Sequence, residues 1–509
     1  MVFEWRKKMN SRIVKLIVLL LACLLVFALV GCGGGSKSNK DSIVVQIMGE
    51  PDSLDPQGSV AVVSFFAISQ MNATLLKRAG DGFEPYIAES YTINEDSSAF
   101  HFILRDDVYF HNGEKLTADD VAFTMERGKN HPFQPMFYDV IDYVEVIAEN
   151  ECVIHLVRSY SPFESVLTSV QFPILSKKAE EDGVDFTREP VGAGPYVFKE
   201  WRTADSVEMT AFPDFFLGEA AIKDVSMKII SDPNTAYAAL ESGDLDFAFT
   251  VPMTAYDEIM DNKKLGAVEF VDSAWMVICL NHAMPEFQDL NVRFAMTHAI
   301  NRDDMVLVAA EGKGFPSVIP AYEGLTGYIP GYESYPYDVA LAKDYMAKSA
   351  YPGGFDVSFK CYDPKTQKVA EIAQTNLKEI GINVTVDFID IGAAMSDMIT
   401  GNYEVGVVPV ANSIGDVDAL KDLFGPGATL NIANTEDSSI YDKMVEAAAY
   451  TGEARLAILR EAYDMMMEQC IYLPTFFSIN FYGANSGLDV SGINVGSDGI
   501  VDVYSMKWK

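Results

Sequence analysis

Few side chains in this 509-residue chain have the type and spacing that bond-breaking chemistry requires. The six histidines and six cysteines do not stand at metal-ligand spacing, and His111 beside Asn112-Gly113 is interpreted as a turn-packing residue. The motifs Gly-x-Ser-x-Gly and His-Glu-x-x-His are absent. We therefore predict no catalytic residue, no metal site and no cofactor. A surface-anchored hydrolase with a carboxylate pair stays an alternative of another class, because 73 acidic residues make any one pair uninformative.

One cysteine, Cys32, does have a chemical context. Basic residues from Arg6 to Lys15 precede an apolar run from Leu16 to Val30, which is the pattern of a secretory signal. This run is shorter than the roughly 20 residues that a membrane span needs. The residues Leu29-Val30-Gly31-Cys32 resemble the bacterial lipobox, in which the cysteine thiol receives a diacylglyceryl group. We therefore predict a lipoprotein signal peptide over 1–31 and a lipid anchor at Cys32.

The residues after Cys32 are small and polar, and they predict a flexible tether over 32–41. Such a protein is extracytoplasmic and is attached through its lipid, at the outer face of the cytoplasmic membrane or in the periplasm. Of the remaining cysteines, two lie in strand-like apolar runs, which favours buried free thiols; export leaves a disulfide open. These four residues are Cys152, Cys279, Cys361 and Cys470.

Composition and charge exclude further classes. The 38 basic residues face 73 acidic ones, and the net charge of −35 repels a phosphate backbone, so we predict no nucleic-acid partner. An apolar content of 49% with a single long apolar run indicates a globular body rather than a polytopic membrane protein. The length predicts two or three domains.

The first half of the mature chain has a mixed pattern. We predict a strand over 43–47, a helix over about 64–77, and mainly short strands from 87 to 157. Within this stretch, Thr117 is predicted to cap a helix over 118–127, with Asp119 and Asp120 in its first turn. This region therefore reads as α+β.

From about residue 355 strands and helices alternate. Strands are predicted over 355–361, 382–388 and 403–410, with helices over 367–380 and 393–399 between them, followed by helices over 438–449 and 452–467 and a strand over 471–477. Strand, helix and strand at this spacing predict a parallel sheet with ligands beyond the carboxyl ends of its strands. Arg293 and Arg302 are placed on one helix from about Asp289, as separate structural cations.

Several ordered blocks carry a family resemblance. They are Gly49-Glu-Pro-Asp-Ser-Leu-Asp-Pro56, the stretch from Phe100 to Val121, Pro190-Val-Gly-Ala-Gly-Pro-Tyr-Val-Phe-Lys-Glu-Trp201, Ala239 to Asp246, Asn281, Asn291 to Ala295 and Ala299 to Arg302. Together they resemble the family 5 extracytoplasmic solute-binding proteins of peptide and nickel ABC importers. The resemblance runs over about residues 43–505.

The resemblance implies an α/β, two-lobed periplasmic-binding-protein-like fold with a hinge and an appended small α+β domain. Lobe I would comprise 42–78, 190–268 and 478–509, the small domain 79–189, and lobe II 269–477, with hinge crossings near 269 and 477. A small-molecule ligand would be captured by hinge closure and delivered to an ABC permease and ATPase complex. The expected ligand is a short peptide, the alternative is nickel or another metal in a small chelator, and the expected state is a monomer.

The resemblance also implies ligand-binding positions. In peptide-binding relatives the cleft-edge strand carries a Trp followed shortly by an Asp, and this Asp pairs with the ligand's amino group. This chain has no Trp in the segment 403–418, and Asn412 or Ser413 stands at the Asp position, after Ala411. Asn hydrogen-bonds an ammonium without neutralising it, so Asp416 or Asp418 is the candidate replacement, with a helix-start carboxylate or a solvated loop residue as an equally open role. The other candidates, each with packing as an equally open role, are Val60, Val62, Tyr138, Phe476 and Phe477.

Overall fold

The computed structural model describes residues 40–509, apart from 60, 81, 133–137, 429, 494 and 497–498. Within that part of the chain, residues Ser42–Lys509 form one compact unit. The predicted signal peptide, the lipid site Cys32 and nearly all of the tether lie outside the described residues. Among those described, no helix combines the length and the apolar character that crossing a bilayer demands.

The strands are β1 Ser42–Ile47, β2 Leu76–Ala79, β3 Gly82–Pro85, β4 Ala88–Ile93, β5 Ala99–Leu104, β6 Ile141–Ala148, β7 Glu151–Leu156, β8 Tyr196–Arg202, β9 Ser206–Ala211, β10 Asp224–Ile229, β11 Phe247–Ala248, β12 Leu265–Leu280, β13 Gly314–Pro316, β14 Asp356–Cys361, β15 Asn383–Phe388, β16 Val405–Val410, β17 Tyr472–Asn485, β18 Leu488–Asp489 and β19 Lys507–Trp508.

The helices are α1 Val62–Met71, α2 Ala118–Asn130, α3 Phe163–Val166, α4 Lys177–Glu181, α5 Pro233–Ser242, α6 Tyr256–Asp261, α7 Pro285–Gln288, α8 Leu290–Ala299, α9 Arg302–Ala309, α10 Val339–Lys348, α11 Pro364–Leu377, α12 Ile391–Thr400, α13 Ser439–Ala447 and α14 Gly452–Gln469. Short 3₁₀ segments cover Met253–Ala255, Lys378–Ile380, Val417–Phe424 and Val503–Ser505.

One mixed sheet of 11 strands runs through the molecule in the order β15-β14-β16-β12-β17-β11-β1-β10-β9-β8, with β13 also on β17. Its middle is the long antiparallel pair β12–β17, whose ladder extends from Leu265 opposite Asn485 to Cys279 opposite Tyr472. The register shifts between Val271 and Trp275, which marks a β-bulge. Both predicted hinge crossings, near 269 and 477, fall within these two strands.

The predicted alternation after residue 355 is confirmed. β14 pairs in parallel with both β15 and β16, and α11 connects β14 to β15. The helical stretch stops at Gly381, whose φ of 82° lies in the left-handed region that glycine adopts without strain. β16 ends at Val410, and the loop that contains the candidate ligand positions follows its carboxyl end.

The predicted α+β region is also confirmed. Strands β4, β5, β7 and β6 form a separate four-stranded antiparallel sheet, and α2 packs with it. The α2 start has a capping box, in which Thr117 and Asp120 each bond the other's backbone. Its core also includes Ile414 and Ala448 from far along the chain.

Two predicted helices differ from the structure. The first ends at Met71, six residues early, because Asn72 is extended and its side-chain amide donates to the Ile68 carbonyl. The helix predicted from Asp289 is two helices, α8 and α9, separated at Asn301, which caps the second through the Asp304 N–H. Arg293 and Arg302 therefore lie on different helices, where both donate to backbone carbonyls.

The four cysteines of the body are free and buried, as predicted. Burial raises the pKa of the Cys152 thiol, and that of Cys279, to about 12. These thiols are therefore packing groups, protonated at neutral pH.

Candidate functional site

A cavity of about 380 Å³ opens between the end of α1, the β2–β3 hairpin, the C-terminal segment and the loop after β16. Its volume lies within the roughly 300–1,000 Å³ of small-molecule sites. The wall includes Asn72, Thr74 and Arg78 on one side and Ser413 and Ile414 on the other. Residues more than 300 positions apart in sequence thus meet at one concave surface.

The loop after β16, residues 411–418, is here called the β16 loop. Its first side chains alternate, since Ala411 and Ser413 are exposed while Asn412 is fully buried. The Asn412 side-chain amide donates to the Asp416 backbone carbonyl at 2.9 Å, and the Asn412 backbone carbonyl accepts from the Ser273 hydroxyl at 3.2 Å. The alternation turns Ser413 into the cavity and keeps Asn412 inside the protein.

A buried ion pair holds the middle of the β16 loop. Arg455 on α14 contacts both carboxylate oxygens of Asp416, at distances of 2.8 and 2.6 Å, and the Asp416 side chain is completely buried. Burial alone lowers the pKa of Arg455, but the Asp416 charge outweighs it and raises that pKa. Asp416 is therefore neutralised by the protein itself.

The end of the β16 loop is likewise occupied. One Asp418 carboxylate oxygen accepts from the Tyr160 hydroxyl at 2.6 Å and from the Lys421 ammonium at 3.0 Å. The Asp418 side chain is only 2% exposed. Of the loop's candidate residues, Ser413 has the side chain that lines the cavity.

The remaining candidates are distributed over the fold. Val62 lies at the start of α1 and is 53% exposed, and Val60 lies outside the described residues. Tyr138 is completely buried; its hydroxyl donates to the Gln171 carbonyl and its ring stacks on Phe172. Their contact with a ligand stays a prediction.

The two hinge aromatics are fully buried in different cores. Phe476 packs in the core around β14 and α11, whereas Phe477 lies against Phe315 and Tyr322 in the core below the β16 loop. Both lie on β17, with adjacent side chains pointing to opposite faces of the sheet.

The structure adds cavity residues that the sequence analysis missed. Asn72, Arg78 and Asp502 line the cavity, although none belongs to a recognisable motif. Burial raises the pKa of Asp502, and nearby Lys77 opposes this shift. Only the non-local path of the chain brings these residues together, so no local sequence signal identifies them.

The described residues contain no group of three His, Cys, Asp or Glu side chains placed to hold a metal ion. His111 donates from Nε2 to the Gly194 carbonyl at 3.0 Å, and burial lowers its pKa to about 4. Its position is the turn-packing one that the sequence suggests. The site is a cavity lined by both polar and apolar groups, with charged side chains in its wall, and is suited to holding a molecule.

A family model described as bacterial extracellular solute-binding proteins, family 5 Middle, matches residues 82–429. The chain belongs to this family. It is thus a substrate-binding protein of the ABC type, from a family of extracytoplasmic binding proteins. Its fold is the two-lobed α/β fold of periplasmic binding proteins.

Three similar proteins are informative. The glutathione-binding protein GsiB of Salmonella typhi is 28% identical over 409 residues, which cover 76% of this chain and 79% of GsiB. The periplasmic binding protein DppA from Helicobacter pylori, solved with the peptide STSA, has a TM-score of 0.74 and 22% identity, covering 92% and 98% of the two chains. NikZ from Campylobacter jejuni, solved with Ni(L-His), has a TM-score of 0.77 and 21% identity, covering 92% and 99%.

Proposed function

We propose that this family member is a lipid-anchored receptor that captures short peptides and delivers them to an ABC permease. The observation that carries the proposal is Ser413, exposed to the 380 Å³ cavity at the carboxyl end of β16. A peptide that aligns with the end of β16 would be held through backbone hydrogen bonds, as an added strand is. GsiB and DppA, named for glutathione and solved with a tetrapeptide, support a peptide ligand.

The ligand would be held without the Asp of peptide-binding relatives, because Ser413 is the residue near that position whose side chain lines the cavity. A serine accepts and donates hydrogen bonds but brings no charge to an ammonium. Asp416 is paired with Arg455, and Asp418 with Tyr160 and Lys421. Neither carboxylate therefore takes the role of the missing Asp. Recognition would therefore rest on backbone contacts and cavity shape, which favours tolerance of peptide sequence.

A metal chelate is the second candidate. The uncharged Ser413 favours it, because a chelate has no ammonium that the protein must neutralise. The NikZ complex with Ni(L-His) has the same fold. A whole chelate needs no metal-ligating cluster from the protein. Native mass spectrometry of the purified protein separates the two, since a carried peptide and a carried nickel complex differ in mass and isotope pattern.

Peptide binding is expected to stabilise the protein against heat. Glutathione or a pool of di- to hexapeptides at about 100-fold excess over Kd would contribute about 2.7 kcal/mol to the free energy of unfolding, which a thermal shift assay measures as a higher Tm. Ser413→Tyr fills the cavity mouth and should remove this shift while leaving the Tm of the free protein unchanged.

The matched control is Ser396→Tyr, which places the same ring on an exposed position of α12 away from the cavity. It should keep the full ligand-induced shift. If Ni(L-His) raises the Tm and the peptides do not, the proposed ligand becomes a chelate. If neither raises the Tm, both candidates are contradicted.

The lipid anchor has its own test. Cys32→Ser removes the thiol that would receive the diacylglyceryl group, so we expect loss of labelling by a radioactive or alkyne fatty acid. We also expect release of the protein from membranes on washing without detergent. Unchanged membrane retention of this variant would contradict the anchor but leave the binding proposal intact.

A further inference from the structure

Arg78, at the end of β2, extends its guanidinium group across the cavity to the predicted second lobe. Nη1 donates to the Thr326 hydroxyl at 3.1 Å, and Nη2 donates to the carbonyls of Ile414 and Gly415 at 3.1 and 3.3 Å. These acceptors lie 248, 336 and 337 residues further along the chain. A single side chain thus connects the two walls of the cavity.

The acceptors of Arg78 are held in place from behind. The Thr326 N–H donates to the Gly415 carbonyl, and the Val417 N–H donates to the Thr326 carbonyl, both at 3.0 Å. The Asp416–Arg455 ion pair fixes the same loop to α14. The guanidinium group therefore meets a preorganised set of oxygens, and ordering the loop costs little when the contact forms.

A second contact joins the same loop to the predicted small domain. The Tyr160 hydroxyl donates to Asp418 at 2.6 Å, and the neighbouring Ser161 N–H donates to the Ala448 carbonyl at 2.6 Å. Ile414 and Ala448 complete the apolar core of that domain. Residues from the other side of the cleft therefore hold the β16 loop at Ile414 and Gly415 in its middle and at Asp418 at its end.

We propose that Arg78 and Tyr160 form a latch that determines how long a captured solute stays in the cavity. Their hydrogen bonds to the β16 loop exist only while the two sides are together, so they favour the closed state over the open one. Ser413 directly precedes the latched residues, so a solute there shields these bonds from water and strengthens them. The inference rests on the proposed capture by closure and adds the residues that set its lifetime.

The latch predicts a particular kinetic signature. Because it acts after closure, its loss should raise the dissociation rate and leave the association rate unchanged. A residue that contacts the solute first, or that only supports folding, would not separate the two rates in this way. Since bonds from a charged donor contribute more than neutral ones, we expect dissociation to be at least about tenfold faster without Arg78.

The experiment compares Arg78→Lys, Tyr160→Phe and the double variant with Arg202→Ala. Lysine keeps the charge but lacks the planar fork that reaches three acceptors, and phenylalanine removes only the hydroxyl. Arg202 pairs locally with Glu200 on β8, Asp205 in the following turn and Glu208 on β9, so its variant removes an arginine away from the cleft. Glutathione and a tri-alanine peptide serve as probes in stopped-flow dissociation, with small-angle scattering on free and probe-saturated protein.

We expect faster dissociation and a larger radius of gyration in the latch variants, with the control like the wild type. Equal dissociation rates and equal radii in all variants would overturn the latch. A lower association rate with unchanged dissociation would also overturn it, since Arg78 would then contact the solute on entry. If neither probe binds, the proposed peptide function fails. The radii of gyration of the free latch variants, compared with that of the free control, then still decide whether the latch holds the two sides together.

Discussion

Asp416→Ala is expected to lower the free energy of unfolding by about 3–5 kcal/mol, because it leaves the Arg455 guanidinium buried without its counter-charge. The carboxylate accepts two hydrogen bonds from that arginine and is fully shielded from water. Urea unfolding monitored by circular dichroism measures the loss. Solute binding should weaken as well, since the β16 loop loses its attachment to α14.

The double variant Asp416→Leu/Arg455→Met separates the effect of the two charges on stability from the effect of the volume that the side chains fill. It removes both charges and replaces them with apolar groups, so we expect much of the lost stability to return. Arg202→Ala breaks an exposed network and should change the unfolding midpoint little. A loss for Asp416→Ala no larger than that of Arg202→Ala would show that the buried pair contributes nothing.

Gly194→Ala is expected to destabilise the protein by about 3 kcal/mol, the upper end of the range for overpacking. An added Cβ would lie 2.5 Å from the Met71 carbonyl carbon and closer still to the Asn72 nitrogen, so backbone would have to move. Asn72 lines the cavity, and its displacement should weaken solute binding together with stability.

Gly266→Ala is the matched control, because a Cβ at that position on β12 meets nothing within 4 Å. Thermal unfolding of the two variants side by side should show a large fall in Tm for residue 194 and little change for residue 266. Similar Tm values in both variants would contradict close packing of the 192–195 turn against the end of α1.

Local patterns predicted the elements whose signals are local. The capping box of α2 and the strand–helix alternation that builds β14, α11 and β15 were predictable, because period and caps act within a few residues. The ordered family blocks predicted the fold class. They extend beyond any one element, which is why they identified the two-lobed architecture.

The errors arise where tertiary contacts override those patterns. The apolar pattern after residue 64 continues past Asn72, but the chain turns there and meets Gly194, so α1 ends early. The strand predicted to stop at Phe477 continues to Asn485, because β12 offers it a partner over its whole length. Neither partner is visible from neighbouring residues.

Candidate-site prediction failed for the same reason. The sequence placed Ser413 and Asp416 on one loop but gave no sign that Arg455, 39 residues away, neutralises the second of them. No sequence pattern singled out Arg78, which directly follows the helix predicted over 64–77. Its role depends on acceptors more than 240 residues distant, which only the folded chain defines.

The position of β1 in the central sheet affects how the protein can be made. β1 pairs with β10 and β11, β11 pairs with β17, and the Trp508 indole donates to the Ser42 carbonyl. The earliest strand thus acquires its direct neighbours only when nearly half of the polypeptide has been synthesised, and the sheet continues beyond them only with β17, close to the C-terminus. Such high contact order slows folding, which would give a secretion channel time to thread the chain before it becomes rigid.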